Sequence, residues 1–155
     1  MRTGIGFDIH ILEPDRKLIL GGVEIPYHLG LKGHSDGDVI LHAISDAIAG
    51  ALSEDDIGTV FSDSDQSIQG IKSEEILKHY YKLLTSREAK IVNIDIVILA
   101  ERPVLKTWYG QMKKNIATIL NIENSRIGIK AKTMEGIGEI GQGKAIACLV
   151  SILIE

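Results

Sequence analysis

Residues 33–52, GHSDGDVILHAISDAIAGAL, decide the architecture. A polar, glycine-containing run gives way after Gly37 to apolar residues at helical spacing, Val39, Leu41 or His42, Ala43, Ala47 and Ala51. The spacing predicts a helix from about Gly37 to Leu52, with Ser35 or Asp36 as its cap and acid in its first turn. Asp38, His42 and Asp46 fall at successive i, i+4 positions and form one polar stripe on an otherwise apolar helix. Such a stripe is either a solvated face or the lining of a cleft, and the apolar neighbours Leu41 and Ala43 favour the cleft.

Working outward, RTGIGFDIH (2–10) and KLILGGVEI (17–25) read as strands, the second folded into a hairpin at its Gly-Gly pair. Downstream, SEDDIGTVFSDSDQSIQG (53–70) is a long polar loop, and a helix is predicted from Ser73 to about Glu88. KIVNIDIVILA (90–100) alternates Val92, Ile94, Ile96 and Ile98 with Asn93 and Asp95, a strand with one apolar side. A third helix after Pro103 carries Leu105, Trp108, Met112, Ile116 and Ile119. Two closing strands, RIGIKAKT (126–133) and KAIACLVSILI (144–154), flank the glycine-rich loop EGIGEIGQG. Strands at both ends with helices between predict an α+β fold, a single mixed β-sheet with helices packed on one face. At 155 residues the chain suits a single domain spanning 1–155.

Apolar residues make up 45% and charged residues 25% of the chain, a globular balance. A net charge of −4 argues against a nucleic-acid surface, which carries a basic stripe. The longest apolar stretch is broken by Asn93 and Asp95, and no leader-like succession opens the chain, so a cytoplasmic protein without membrane attachment is expected. Cys148 stands alone, which rules out an internal disulfide and reads as a small buried hydrophobe.

Asp8 and His10 are two apart in a predicted strand and so share a face, with α-carbons about 6.8 Å apart. A D-x-H pair is commonly just solvated. Joined by His42 it becomes a two-histidine, one-carboxylate set with an open position, able to hold zinc or a similar ion against a substrate oxygen. Asp38 or Asp46 is then available to orient the imidazole. His34 and Ser35 precede the helix, where unpaired N–H groups favour an anion, although Ser35 can equally serve as a cap. In the acidic loop Asp63, Asp65, Ser67 and Glu74 match four calcium-ligand positions of an EF-hand, but Ile68 occupies the position that needs glycine, and sugar hydroxyls are better partners. Lys130, Lys132, Thr133 and Glu135, where a strand enters a loop, form either a solvated strand end or a hold on a diphosphate with magnesium.

Together GIGFDIH, GLKGHSDGDVILHAISDAIAGA, DIGTVFSDSD, AERPVL and KTMEGIGEIGQG, in this order over nearly the whole chain, resemble the 2-C-methyl-D-erythritol 2,4-cyclodiphosphate synthases of non-mevalonate isoprenoid biosynthesis. The resemblance implies a homotrimer with active sites between subunits. It implies conversion of a cytidine-diphosphate derivative of methylerythritol 2-phosphate into a cyclic diphosphate with release of CMP. It makes Asp8, His10 and His42 zinc ligands, assigns Glu135 to a magnesium or manganese ion on the diphosphate, and puts His34 and Thr133 at the positions that stabilise the transition state. The implied substrate contacts are Asp8, His10, His34 and Ser35; Asp56, Gly58, Phe61, Asp63 and Asp65 around the erythritol; and the run Ala100 to Lys106, including Pro103, Val104 and Leu105, with Ala131, Lys132, Thr133, Met134 and Glu135, around the cytidine and diphosphate.

Three positions depart from the family pattern. Glu139 replaces an aromatic or apolar residue and Gln142 an arginine on the lining of the central cavity between subunits, which disfavours an isoprenoid diphosphate there. Lys132 stands where many relatives have threonine. The residues alone also leave open a metal-dependent phosphohydrolase of a nucleotide or sugar phosphate, and a non-catalytic metal-binding or ligand-carrying trimer.

Overall fold

The computed structural model describes residues 1–62 and 70–155. In chain order the elements are β1 (Arg2–Glu13), β2 (Leu18–Leu20), β3 (Val23–Ile25), β4 (Gly30–Leu31), α1 (Val39–Leu52), α2 (Ile57–Val60), α3 (Ser73–Ser86), β5 (Ile91–Leu99), α4 (Tyr109–Ile119), β6 (Ile127–Lys132), α5 (Gly138–Gly141) and β7 (Ala145–Ile154). Among the described residues the main sheet runs β4–β1–β7–β5–β6. Its pairs are antiparallel except β5 with β6, whose parallel register needs the crossover that α4 supplies. This is the expected α+β fold with a mixed central sheet.

β2 and β3 form a separate hairpin whose turn residues, Gly21 and Gly22, have φ of 59° and 72°. Two consecutive positive φ values are what a two-residue hairpin loop requires, and glycine meets them without a Cβ penalty. Upstream, β1 runs past the expected His10 to Glu13 because Leu12 and Glu13 pair with β4.

The cap of α1 is neither Ser35 nor Asp36. Asp38 occupies that place, its carboxylate accepting from the amides of Ile40 and Leu41, so it precedes the helix rather than lying in its first turn. The same carboxylate accepts from Gly21 N–H at 3.0 Å and Gly22 N–H at 2.6 Å and is fully buried. One side chain thus caps the helix and pins the hairpin turn to it. Burial pushes its pKa up to about 6, and the bonds from Gly22, Gly21 and Leu41 act in the opposite sense.

α1 lies directly on β1. A Cβ at Gly4 would stand 1.9 Å from the Ala47 carbonyl oxygen, and one at Gly6 would stand 1.9 Å from that of Ala43. Glycines on the strand and alanines on the helix therefore permit an approach that larger side chains would block. The opposite face of β1 is apolar yet exposed, with Ile5, Phe7, Ile9 and Ile11 between 46% and 71% accessible. The core lies on the helix side, where Ile94, Ile96, Ile98, Cys148 and Val150 of the sheet meet Ile40, Ile44 and Ile48 of α1 and Leu77, Tyr80 and Leu84 of α3. Buried Cys148 fits its expected role as a small hydrophobe. In β5 the register shifts between Ile91 and Asn93, so Ile91 and not Val92 takes the first buried place. The loop expected around residues 135–143 contains a single turn of helix, α5.

Candidate functional site

Period-two alternation puts Asp8 and His10 on the same side of β1 as Gly4 and Gly6, the side α1 covers. His42 comes down from α1 to meet them. Asp8 Oδ2 lies 3.0 Å from His10 Nε2 and 2.9 Å from His42 Nδ1, and the three donor atoms all fall within 4.8 Å of one another. The other carboxylate oxygen, Oδ1, accepts from the Ile9 amide at 2.9 Å, which fixes the direction of Oδ2. Donors around a tetrahedral ion at ~2.0–2.2 Å stand roughly 3.3–3.6 Å apart, so this group could hold a metal after small side-chain adjustments. The Asp8 and His10 side chains each keep 23% exposure, which leaves an approach for a substrate oxygen. Burial alone would raise the Asp8 pKa; the hydrogen bonds and charges of His10 and His42 outweigh it and hold the carboxyl well below its usual range.

The orienting partners of His42 are not Asp38 or Asp46. Asp38 is turned into the hairpin, and Asp46 accepts from the Ile57 amide at 3.0 Å, holding α2 against α1. Burial raises the Asp46 pKa, with the Ile57 amide opposing. The predicted stripe along α1 is therefore three separate roles. His42 Nε2 instead faces Ser73 Oγ at 2.8 Å and Ser35 Oγ at 3.3 Å. Ser73 carries no sequence signal beyond its place at a helix start, and its contact crosses 31 residues.

His34 is exposed, and its carbonyl accepts from Gly70 N–H at 2.8 Å. Asp56 caps α2 through the Thr59 amide at 2.8 Å; Thr59 lowers its pKa by hydrogen bonding. Gly58 is exposed and Phe61 half-buried against His79, with ring centroids 5.2 Å apart. Asp63 and Asp65 lie outside the described residues, as do Ser67 and Ile68 of the EF-hand comparison.

The expected nucleotide-binding segments do come together, at the adjacent ends of β5 and β6. The Ala100 amide donates to the Lys132 carbonyl at 3.0 Å, and the Met134 amide to Glu101 Oε2 at 3.3 Å. Glu101 is a link that sequence reasoning missed. Ala100 and Leu105 are buried, Pro103 and Ala131 half-buried, Val104, Lys106 and Lys132 exposed. Thr133 Oγ1 donates to Glu135 Oε1, and Glu135 has a φ of 51°. Lys130 is not a second free cation for a diphosphate, because its ammonium lies 2.5 Å from both oxygens of Asp95. In and beside α5, Glu139 is paired with Lys144 at 3.0 Å, and Gln142 is exposed.

Within one chain the two halves do not meet. The register aligns Asp8 with Cys148, Cys148 with Ile98 and Ile98 with Ala131. Three strand spacings of about 4.8 Å put Asp8 and Ala131 roughly 14 Å apart, with buried Cys148 and Ile98 between them.

The profile of the YgbB family matches residues 1–155. A 2-C-methyl-D-erythritol 2,4-cyclodiphosphate synthase of Chloroherpeton thalassium is 50% identical over 155 residues, covering 100% of this chain and 99% of that one. Among solved structures, a Plasmodium falciparum IspF in complex with CDP superposes with a TM-score of 0.88 at 39% identity, over 99% of this chain and 94% of the other. The bifunctional IspDF of Campylobacter jejuni gives a TM-score of 0.94 at 40% identity over 99% of this chain, which spans 42% of that longer protein.

Proposed function

The chain belongs to the YgbB family, and from that premise we infer that it converts 4-diphosphocytidyl-2-C-methyl-D-erythritol 2-phosphate into 2-C-methyl-D-erythritol 2,4-cyclodiphosphate and CMP, a step in isoprenoid precursor formation. The observation that carries this reading is the convergence of Asp8, His10 and His42 on one point with an exposed side, in a chain half identical to named synthases. These three residues would hold a zinc ion. Bound there, zinc would withdraw charge from a β-phosphate oxygen of the substrate.

The nucleophile is the substrate's own 2-phosphate, so the protein supplies position and charge compensation rather than a reacting side chain. An oxygen of the 2-phosphate forms a bond to the β-phosphorus as the bond to the CMP oxygen breaks, and no water is consumed. Ser35 lies beside His42, and with His34 it presents donors to the transferring phosphate. Thr133, with Glu135, serves the departing side; Glu135 would hold a magnesium or manganese ion, which would neutralise charge on the diphosphate, and Lys132 offsets charge there. Ala100 to Lys106 with Ala131 to Thr133 receive the cytidine. Asp56, Gly58, Phe61, Asp63 and Asp65 receive the erythritol. Among the described residues no helix is long and apolar enough to cross a membrane, and a cytoplasmic location suits water-borne polyphosphate chemistry.

Two features support a homotrimer. The metal and cytidine groups are three strands apart in one chain, and the outward face of β1 exposes Ile5, Phe7, Ile9 and Ile11. A neighbour seated on that face buries the apolar surface and brings its own nucleotide-binding end to the cluster. Phe7→Glu is expected to sediment as a monomer that still binds zinc but has lost CMP release; a fully active monomer would contradict the shared site.

Phosphorus NMR on the cytidine diphospho-substrate, supplied with zinc and magnesium, is expected to show CMP and the cyclic diphosphate appearing together. Chelation should abolish both and zinc should restore them. In oxygen-18 water no label should enter the product; label there would mean hydrolysis instead.

A further inference from the structure

We propose that Ser73 and Asp36 form a positioning relay that holds the ring proton of His42 on Nε2, so that Nδ1 presents its lone pair to the ion. The inference rests on the reading that Asp8, His10 and His42 hold zinc. Its basis is a chain of three groups from three segments. Asp36 accepts a hydrogen bond from Ser73 Oγ and stands 3.3 Å, through each of its carboxylate oxygens, from the Ser73 amide. Ser73 Oγ lies 2.8 Å from His42 Nε2 and is fully buried.

The proton count decides the roles. A carboxylate can only accept, so the single hydroxyl proton of Ser73 goes to Asp36. Ser73 Oγ then faces His42 with a lone pair, and a 2.8 Å contact between them needs a proton on Nε2. Ser35 Oγ, 3.3 Å from the same nitrogen, already accepts from the Gly37 amide at 3.0 Å and is the weaker partner. Elsewhere on the ring Nδ1 stands 2.9 Å from Asp8 Oδ2, a hydrogen-bond contact that bound zinc would replace by taking the Nδ1 lone pair. Orientation of a metal-bound imidazole through its second nitrogen fixes both tautomer and ring plane.

The relay also explains the start of α3. Lys72, at its cap position, makes no side-chain capping bond, and the first amide of the helix is met instead by Asp36. Asp36 thus serves two ends at once, the helix and the imidazole.

The test is zinc affinity by competition with a chromogenic chelator, together with the His42 ring N–H signals in 15N-labelled, zinc-loaded protein. In the wild type a slowly exchanging Nε2–H is expected. Ser73→Ala should weaken zinc binding roughly 10- to 100-fold and make that proton exchange rapidly. Asp36→Asn keeps an acceptor for the hydroxyl and should retain most of both properties. A merely structural Ser73 would change the melting temperature of the zinc-free protein and leave zinc affinity and the ring signal untouched, which would overturn the inference. A wild type that takes up no zinc at all would instead overturn the metal reading beneath it.

Discussion

Gly6→Ala is expected to lower the melting temperature by roughly 6–12 °C and to cut zinc uptake sharply, although the change adds only one methyl group. The added carbon would sit 1.9 Å from the Ala43 carbonyl oxygen and 2.7 Å from the Ala47 amide nitrogen, both backbone atoms in the middle of α1. No rotamer change relieves such a clash, so helix and strand must separate. Overpacking of this kind costs on the order of 3 kcal/mol, and for a chain of this size each kcal/mol moves the midpoint by about 2–4 °C. The functional consequence follows from position. Asp8 is two residues along the strand from Gly6, and His42 adjoins Ala43, so a displaced helix pulls the imidazole away from the carboxylate. Thermal melts with a zinc titration check this; wild-type values in both would show that the close approach is unimportant.

The second large effect is expected at His42. His42→Ala should abolish stoichiometric zinc and reduce CMP release on the order of a thousandfold or more, as loss of a charge-stabilising group at a phosphoryl centre does. Its folding and sedimentation should match the wild type. The ring sits at the outer end of the buried set, and its residue is 8% exposed. This variant separates the enzyme readings from the non-catalytic one, as oxygen-18 water separates cyclisation from hydrolysis. A carrier that only binds metal would lose the ion with no turnover to lose, and unchanged CMP release would remove His42 from the reaction.

Local periodicity made much of this legible. The alternation of GIGFDIH is enough to put Asp8 and His10 on one face, and the helical spacing after Gly37 is enough to bring His42 to the apolar side of α1. The paired glycines announced the hairpin turn. What stayed hidden depends on contacts between segments far apart in sequence. Asp38 reads like one rung of a polar stripe because its partners, Gly21 and Gly22, lie 17 and 16 residues away. Asp36 reads like the cap of the helix it precedes, but the amide it meets belongs to Ser73, 37 residues on. Val92 fits the alternation of its strand until the register shift next to it gives the inner place to Ile91. The closeness of β1 to α1 is written in Gly4 and Gly6, yet glycine in a strand signals turns and bulges as readily as a neighbour within touching distance.

β1 is a ribbon printed on both sides. One side carries the candidate metal ligands Asp8 and His10 and the glycines that admit α1; the reverse carries Ile5, Phe7, Ile9 and Ile11. A single inserted residue near its start would transpose the two, sending the carboxylate and imidazole outward and driving bulky aliphatics into a helix that tolerates only hydrogen. The proposed metal site and the proposed subunit contact therefore share this strand, and neither can drift in length without the other.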